Sequence, residues 1–573
     1  MPTMRRSLLF LFALLPVCLL AACRDAPPEP PREDRILTLL YWQAPTLPGP
    51  YLASGFKDMD AGAVTLEPLA SYDPDGNLVP RLAVDIPTIA NGGVAADQTS
   101  ITWTLHEGLK WSDGSDMTAR DVVFTWRYCT HAETGCTNAS AFAGITSVQA
   151  VDERTVEIRF EAPTPYPYSA FVGGGTPIIS AAQFGDCVGA AARSCHAQNT
   201  APLGTGPYRI VEFTPNDGAV YERNPHYRGE APYFDRVILR GGGDALSAAR
   251  AVLETGEADF AWNVQVEPAQ LATMEEAGLG AVVVAFAGIV ERIVVNQTNP
   301  DPALGDDRSD YLDGANPHPF LTFPPIAQAM SMAIDRAQLT DDLYGFAGRP
   351  ACNLVAAPAR YASDANEGCV VQDIEGAKRL LDEHGVVDGD GDGVREYQGV
   401  PLRISYQTTV NPVRQETQRL IRGWWEQIGI EVELLQHDAS VFFGGDPVVE
   451  EASYRRFLAD VQMYATGPGP DPQDHLSSWL CSEVQASGDG WAGSNNPRAC
   501  NADYDALFAE LAATPIGPQR DALVRQLNDI LVQHYYEIPL VVRGSVSAHL
   551  HTLRDVRING WDSELWNIAE WRR

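Results

Sequence analysis

Apolar positions recur along this chain with two periods, and the alternation between them predicts its elements. Residues 36–41, Ile-Leu-Thr-Leu-Leu-Tyr, read as an apolar strand, and 61–69 as a short helix leading to the turn formers Pro74-Asp75-Gly76-Asn77. Residues 101–105 alternate as Ile-Thr-Trp-Thr-Leu, and 155–160 alternate again after a turn at Asp152-Glu153. Period-two alternation of this kind marks half-buried strands. Farther on, helical spacing runs through 245–253, 325–334, 374–381, 414–428, 503–511 and 519–532. Short apolar strands lie between these helices at 293–295, 402–406 and 432–435. Helices alternating with strands predict α/β lobes. No solenoid-length repeat is visible, which excludes an array.

The first residues follow another pattern. Arg5 and Arg6 precede an apolar run at 8–20 and the small-residue junction Leu20-Ala21-Ala22-Cys23. Residues 1–22 therefore read as a secretory signal peptide, whose apolar run is too short to span a membrane. The junction resembles the bacterial lipobox, which implies lipidation of Cys23, although ordinary signal cleavage also suits such an ending. Residues 23–35, rich in proline and charge, read as a lipid-anchored linker with nothing to bury. What remains is too long for one core and predicts at least two lobes.

Ten cysteines sharpen the picture of an exported chain. Setting aside Cys18 and Cys23, eight remain as neighbours: Cys129 with Cys136, Cys187 with Cys195, Cys352 with Cys369, and Cys481 with Cys500. An even number in an oxidising compartment argues for disulfides, and sequence alone does not fix the pairing. Neighbours close the shortest loops and are the expected partners. None of these pairs has the Cys-x-x-Cys spacing of a zinc site. The formal charge of −34 excludes nucleic acid as a natural partner, because phosphate neutralisation needs basic surface.

Candidate chemistry is sparse. Asp388-Gly389-Asp390-Gly391-Asp392-Gly393 matches the first half of an EF-hand loop, but Gly399 stands where the bidentate Glu is required, and Glu396 compensates only in part. Asp388, Asp390 and Asp392 are thus read as a turn or a weak structural calcium site, and no other cofactor is expected. His549 and His551, two residues apart, lack a third ligand nearby. Gly204-Thr205-Gly206 lacks the Lys-Ser/Thr of a P-loop and reads as a tight turn. No His-Glu-x-x-His, no Gly-x-Ser-x-Gly, and no Ser-x-x-Lys with its partner motifs is present. An exported hydrolase with an unadvertised site is the weaker alternative to a binding protein.

Several blocks then match one family in order. They are Tyr72-Asp73-Pro74-Asp75-Gly76-Asn77-Leu78-Val79-Pro80-Arg81-Leu82-Ala83, and Trp103-Thr104-Leu105-His106-Glu107-Gly108-Leu109-Lys110-Trp111-Ser112-Asp113-Gly114 continuing through Thr118 to Phe124. Gly204-Thr205-Gly206-Pro207-Tyr208, Glu257-Ala258-Asp259, Ala333-Ile334-Asp335-Arg336 and Ile538-Pro539-Leu540 follow. The chain resembles the extracytoplasmic solute-binding proteins of the peptide and nickel type, which serve ABC importers. Most matching residues read as structural, with apolar faces at Trp103, Leu105, Trp111 and Phe124 and a helix N-cap at Thr118.

The resemblance implies an α/β, bilobal periplasmic-binding-protein fold of the larger type. Lobe I would span 36–290 with an inserted subdomain at about 76–202, the hinge 291–298, lobe II 299–535, and 536–573 would cross back. It implies a monomer outside the cytoplasm, anchored to a membrane, that delivers a peptide-like ligand to permease subunits and catalyses nothing. Aromatics and amides beside glycines or turns are the candidate contacts, namely Tyr41, Trp42, Gln43, Trp262, Asn263, Gln265, Phe442 and Tyr464, together with the carboxylate of Asp471. One position departs from the family. Peptide-binding relatives place an acid before an Asp-Pro pair to hold the peptide's α-amine, and here Pro468 stands in its place before Asp471-Pro472. The resemblance therefore implies a ligand other than an ordinary peptide read by its amine, such as a blocked peptide, an opine-like conjugate or an oligosaccharide.

Overall fold

The computed structural model describes residues 33–49, 51–53, 55–444 and 446–573. The expected signal peptide, Cys23 and most of the linker lie outside the described residues. Among the described residues, no helix is long and apolar enough to cross a membrane.

Two long strands organise the molecule. Gly280–Val295 and Glu537–Leu550 pair antiparallel, with a register break between Phe286 and Val290. On one side of the break, residues 280–286 and 544–550 join Phe260–Ala261, Ile36–Tyr41, Arg236–Gly241, Gly218–Arg223 and Tyr208–Thr214. On the other side, 290–295 and 537–542 join Val461–Thr466, Arg403–Thr409 and Glu431–His437, and Gly348–Pro350 pairs with residues 541–543. The fold is bilobal and α/β in both halves, with one sheet running through the connection. The isolated strand expected at 293–295 is the end of a 16-residue strand. Its near-continuous apolar run is buried on both faces past the break, so no alternation marks where it starts.

Each lobe has its own core. Leu37, Leu39, Tyr221, Phe260 and Trp571 pack together in the first, so the C-terminal residues close back on the first strand. Ile326, Met330, Tyr406, Trp425 and Ile538 pack in the second. A third core surrounds the small sheet of Ser100–Thr104, Thr155–Phe160 and Ile145–Ala150, where Trp103, Val122 and Tyr128 meet. The helix Ala119–Thr130 over this sheet begins with a full capping box between Thr118 and Asp121, a feature that contributes about 1 kcal/mol.

The helix expected at 61–69 is displaced. It spans Phe56–Ala63, and the chain is extended again by Ala70–Tyr72. Pro68 disfavours helical backbone at the residue before it. Gly204 and Gly206 also press on Thr65, whose carbonyl accepts the Gly206 amide at 2.9 Å. A Cβ at Gly204 would lie 2.0 Å from that carbonyl oxygen. The glycine loop is thus a close backbone approach. The four cysteine pairs join as neighbours, with Cα separations of 5.1, 5.9, 5.7 and 4.6 Å in chain order.

Candidate functional site at the lobe junction

Strand direction shows which residues face the junction. Phe260 and Ala261 pair with His549 and Ala548, so 260 to 263 runs toward the crossing. Ile36–Tyr41 runs parallel beside it. Trp42-Gln43 and Trp262-Asn263 therefore leave the carboxyl ends of neighbouring parallel strands at the edge facing the second lobe, the usual ligand side of an open α/β sheet. Tyr41 is fully buried and stacks on Trp262 with ring centroids 5.0 Å apart. Trp42 is half-buried and donates from Nε1 to the Asn263 carbonyl at 2.9 Å. Gln43 and Gln265 are exposed. Asn263 has φ +51°, an uncommon conformation for a side-chain-bearing residue.

From the second lobe, Thr466 pairs with Val290 at the register break, so the loop that follows lies over the crossing. A Cβ at Gly467 would sit 2.2 Å from the Gly288 carbonyl oxygen, and one at Gly288 would sit 2.8 Å from Pro468 Cδ. Pro468 thus packs on the crossing strand. Asp471 pairs with Arg520 at 2.8 Å, and burial raises its pKa against that pairing. Its charge also acts on Tyr72 and Tyr166 of the first lobe, whose hydroxyls are 2.8 Å apart. Phe442 and Tyr464 are buried in an aromatic cluster with Phe443 and Tyr454, and only Phe443 is substantially exposed. Phe442 and Tyr464, like Tyr41, are core residues that shape the walls.

Residues with no sequence signal complete the junction. Arg292 pairs with Glu537 on the crossing strands, its guanidinium lies 4.8 Å over the Tyr464 ring, and Nη1 has no partner among the described residues. Trp479 Nε1 donates to Glu537 at 2.9 Å. Burial raises the Glu537 pKa, and Arg292 opposes the rise. Burial also lowers the nearby His475 to about 3. In the first lobe, Asp60 and Glu564 form a buried acidic pair. Both are raised, first by burial and, for Glu564, next by Asp60. Their separation of 504 residues leaves no local motif to find.

Two further cavities lie within single lobes. One of about 790 Å³ is lined by Arg35, Glu67, Arg81, Tyr233 and Trp566, and two of its charges are paired: Glu67 with Arg228, and Arg35 with Asp235. The other, about 820 Å³, is lined by Arg308, Phe320, Arg403 and Asp460. Asp388, Asp390 and Asp392 come within 4.8 Å of one another on the surface. Their carboxylates accept amides of Gly391, Gly393, Asp392 and Val394, which holds the turn closed. His549 Nδ1 is bonded to the Leu550 carbonyl.

Comparison with known proteins agrees with this architecture. Residues 77–487 match the model of the bacterial extracellular solute-binding proteins, family 5 Middle. A Brucella ovis protein named for peptide binding in an ABC transporter is 28% identical over 56% of the chain, and that match spans 54% of the relative's length. The glutathione-binding protein GsiB of Escherichia coli is 25% identical over 80% of this chain and 81% of its own. Among solved structures, the substrate-binding protein CtaP of Listeria monocytogenes superposes with a TM-score of 0.72 at 20% identity, over 94% of this chain and 98% of its own. The match to the family model covers most of the chain, and the chain belongs to the bacterial extracellular solute-binding proteins, family 5.

Proposed function

We propose that the protein captures a peptide-like solute outside the cytoplasmic membrane, between its two lobes, and delivers it to the permease subunits of an ABC importer. The observation that carries this reading is the junction itself. Aromatic and amide side chains at the carboxyl ends of parallel strands in one lobe face a loop of the other across two connecting strands. Names of relatives that bind peptides and glutathione support the solute class. The proposed lobes are 36–290, carrying a subdomain at about 76–202, and 299–535. The hinge is proposed at 291–298, just past the register break between Phe286 and Val290, and the return at 536–573 contains the matching break between Val542 and Gly544. Capture would be by closure of the lobes.

Pro468 refines the ligand. It offers no carboxylate, so an α-ammonium buried there would lack an anionic partner, a penalty of several kcal/mol. The ligand of this reading is a blocked or modified peptide, and the same residue favours an opine-like conjugate or a saccharide as the second reading. Cys23 is proposed as the lipid anchor of the mature chain, which is proposed to act as a monomer. Mass spectrometry of the solute that co-purifies with the protein tests the ligand class. A peptide-like molecule without a free α-amine is expected. A simple peptide whose binding is abolished by Nα-acetylation would contradict it.

A further inference from the structure

The buried acidic pair in the first lobe lies where the C-terminal segment folds back onto the junction. Gly560 packs against Ala287 of the crossing strand, and Asn559 donates to the Tyr72 carbonyl at 2.8 Å. Ser563 and Glu564 follow over the helix Phe56–Ala63. Every lone-pair direction of Asp60 in use is filled by protein. Tyr41 donates to Oδ2 at 3.0 Å, while Ser563 Oγ and the Glu564 amide donate to Oδ1 at 2.6 and 3.2 Å.

Glu564 differs. Ser547 Oγ donates to its Oε2 at 2.6 Å and itself accepts the Asn263 amide at 3.1 Å. Oε1 receives no protein donor among the described residues and is not among the orphaned buried atoms, so this oxygen of a residue 7% exposed stays open to solvent. No Lys, Arg or His among the described residues pairs with either acid. The groups that face the pair are Tyr41 from the first strand, Tyr221 from Gly218–Arg223, and Asp562 from the same C-terminal segment, all neutral or acidic. Two carboxyls buried together without a cation hold a proton between them or wait for a positive charge from outside. The chain of bonds from Glu564 through Ser547 ends on Asn263, the residue held at positive φ at the edge facing the second lobe.

We propose that Glu564 is a ligand-binding residue that accepts a cationic group of the solute, an ammonium or guanidinium other than an α-amine, at the first-lobe wall of the junction. This rests on the peptide-like reading above and names the chemistry it would take. Arrival of the cation releases the proton that the pair holds, so binding and proton release are coupled. Asp60 is a positioning residue, since its oxygens serve Tyr41, Ser563 and the Glu564 amide.

The test uses the full mature chain and a library of Nα-acetylated di- to pentapeptides containing lysine or arginine. A matched library carries norleucine and citrulline in their place. Calorimetry in two buffers of different ionisation heat reads affinity and proton release together. The wild type is expected to prefer the cationic library at least about 10-fold and to release a proton on binding. Glu564→Gln, checked for folding by circular dichroism, should lose both the preference and the release, and Glu564→Asp should keep part of each. Equal binding of the two libraries by the wild type, or an unchanged preference in Glu564→Gln, overturns the inference and leaves the blocked-peptide reading standing. Binding of neither library by the wild type overturns the peptide-like reading, and the inference with it.

Discussion

Replacing Arg292 by methionine should destabilise the second lobe by about 3–5 kcal/mol, the range for removing one partner of a buried ion pair. The structure places this pair at the severe end. The side chains of Arg292 and Glu537 are 5% and 1% exposed, and without the guanidinium Glu537 keeps, among the described residues, only the Trp479 indole as a donor. For a unit of lobe size, each kcal/mol moves the midpoint by about 2–4 °C, so a fall of about 6–20 °C is expected. The penalty should also depend on pH. Burial holds the folded pKa of Glu537 above its ordinary value, and removing Arg292, which opposes that rise, lifts it further. A carboxyl with a raised folded pKa destabilises the native state as pH climbs from the ordinary carboxylate range, about 4.3, through the folded value. Calorimetric melting of Arg292→Met should therefore show a smaller loss at pH 5 than at pH 8. Glu537→Gln, which strands an arginine that keeps its proton, should show no such trend over this range. Arg292→Met with Glu537→Leu should recover most of the loss, because an apolar replacement of both partners removes the unpaired charge. A loss under about 1 kcal/mol in Arg292→Met, or one independent of pH, would refute this account of the crossing.

Other consequences are simpler to read. Thr118→Ala removes one half of the capping box and should lower stability by about 1 kcal/mol in urea unfolding, with an unchanged m-value. Peptide mapping without reduction should recover four crosslinks between neighbouring cysteines, each closing a short loop worth about 2–3 kcal/mol, and a crosslink between distant pairs would count against the assignment. Cys23→Ser should move the mature protein from the membrane fraction to the soluble one, and continued membrane association would defeat the proposed anchor.

Local pattern and distant contact divide what the sequence reveals. Helix 245–253 and strand 155–160 have the bounds that their periodicity predicts, because each has one wet and one buried face, and strand 36–41 has the bounds of its apolar run. The crossing strand Gly280–Val295 has no such contrast over most of its length, and only its end was legible. The helix near 61–69 was displaced by Pro68 and by a glycine loop some 140 residues away, a contact no window contains. Within the site, Trp42, Asn263 and Gln265 stand at the junction, but the aromatic residues Tyr41, Phe442 and Tyr464 proved to be wall-forming core. Aromatic residues beside glycines signal burial and exposure equally well, so composition does not separate the two. Arg292, Glu537, Asp60 and Glu564 carry the buried charge of the junction, and their partners lie hundreds of residues apart. Only the fold reveals them.

Solution scattering tests the central claim that two lobes close on a solute at their junction. The mature protein would be measured free of ligand and again at full occupancy by its co-purifying solute, with stoichiometry and recovery read by native mass spectrometry. A smaller radius of gyration with one intact solute bound per chain is the predicted result. An unchanged radius at proven full occupancy, or a solute recovered chemically altered, would contradict it.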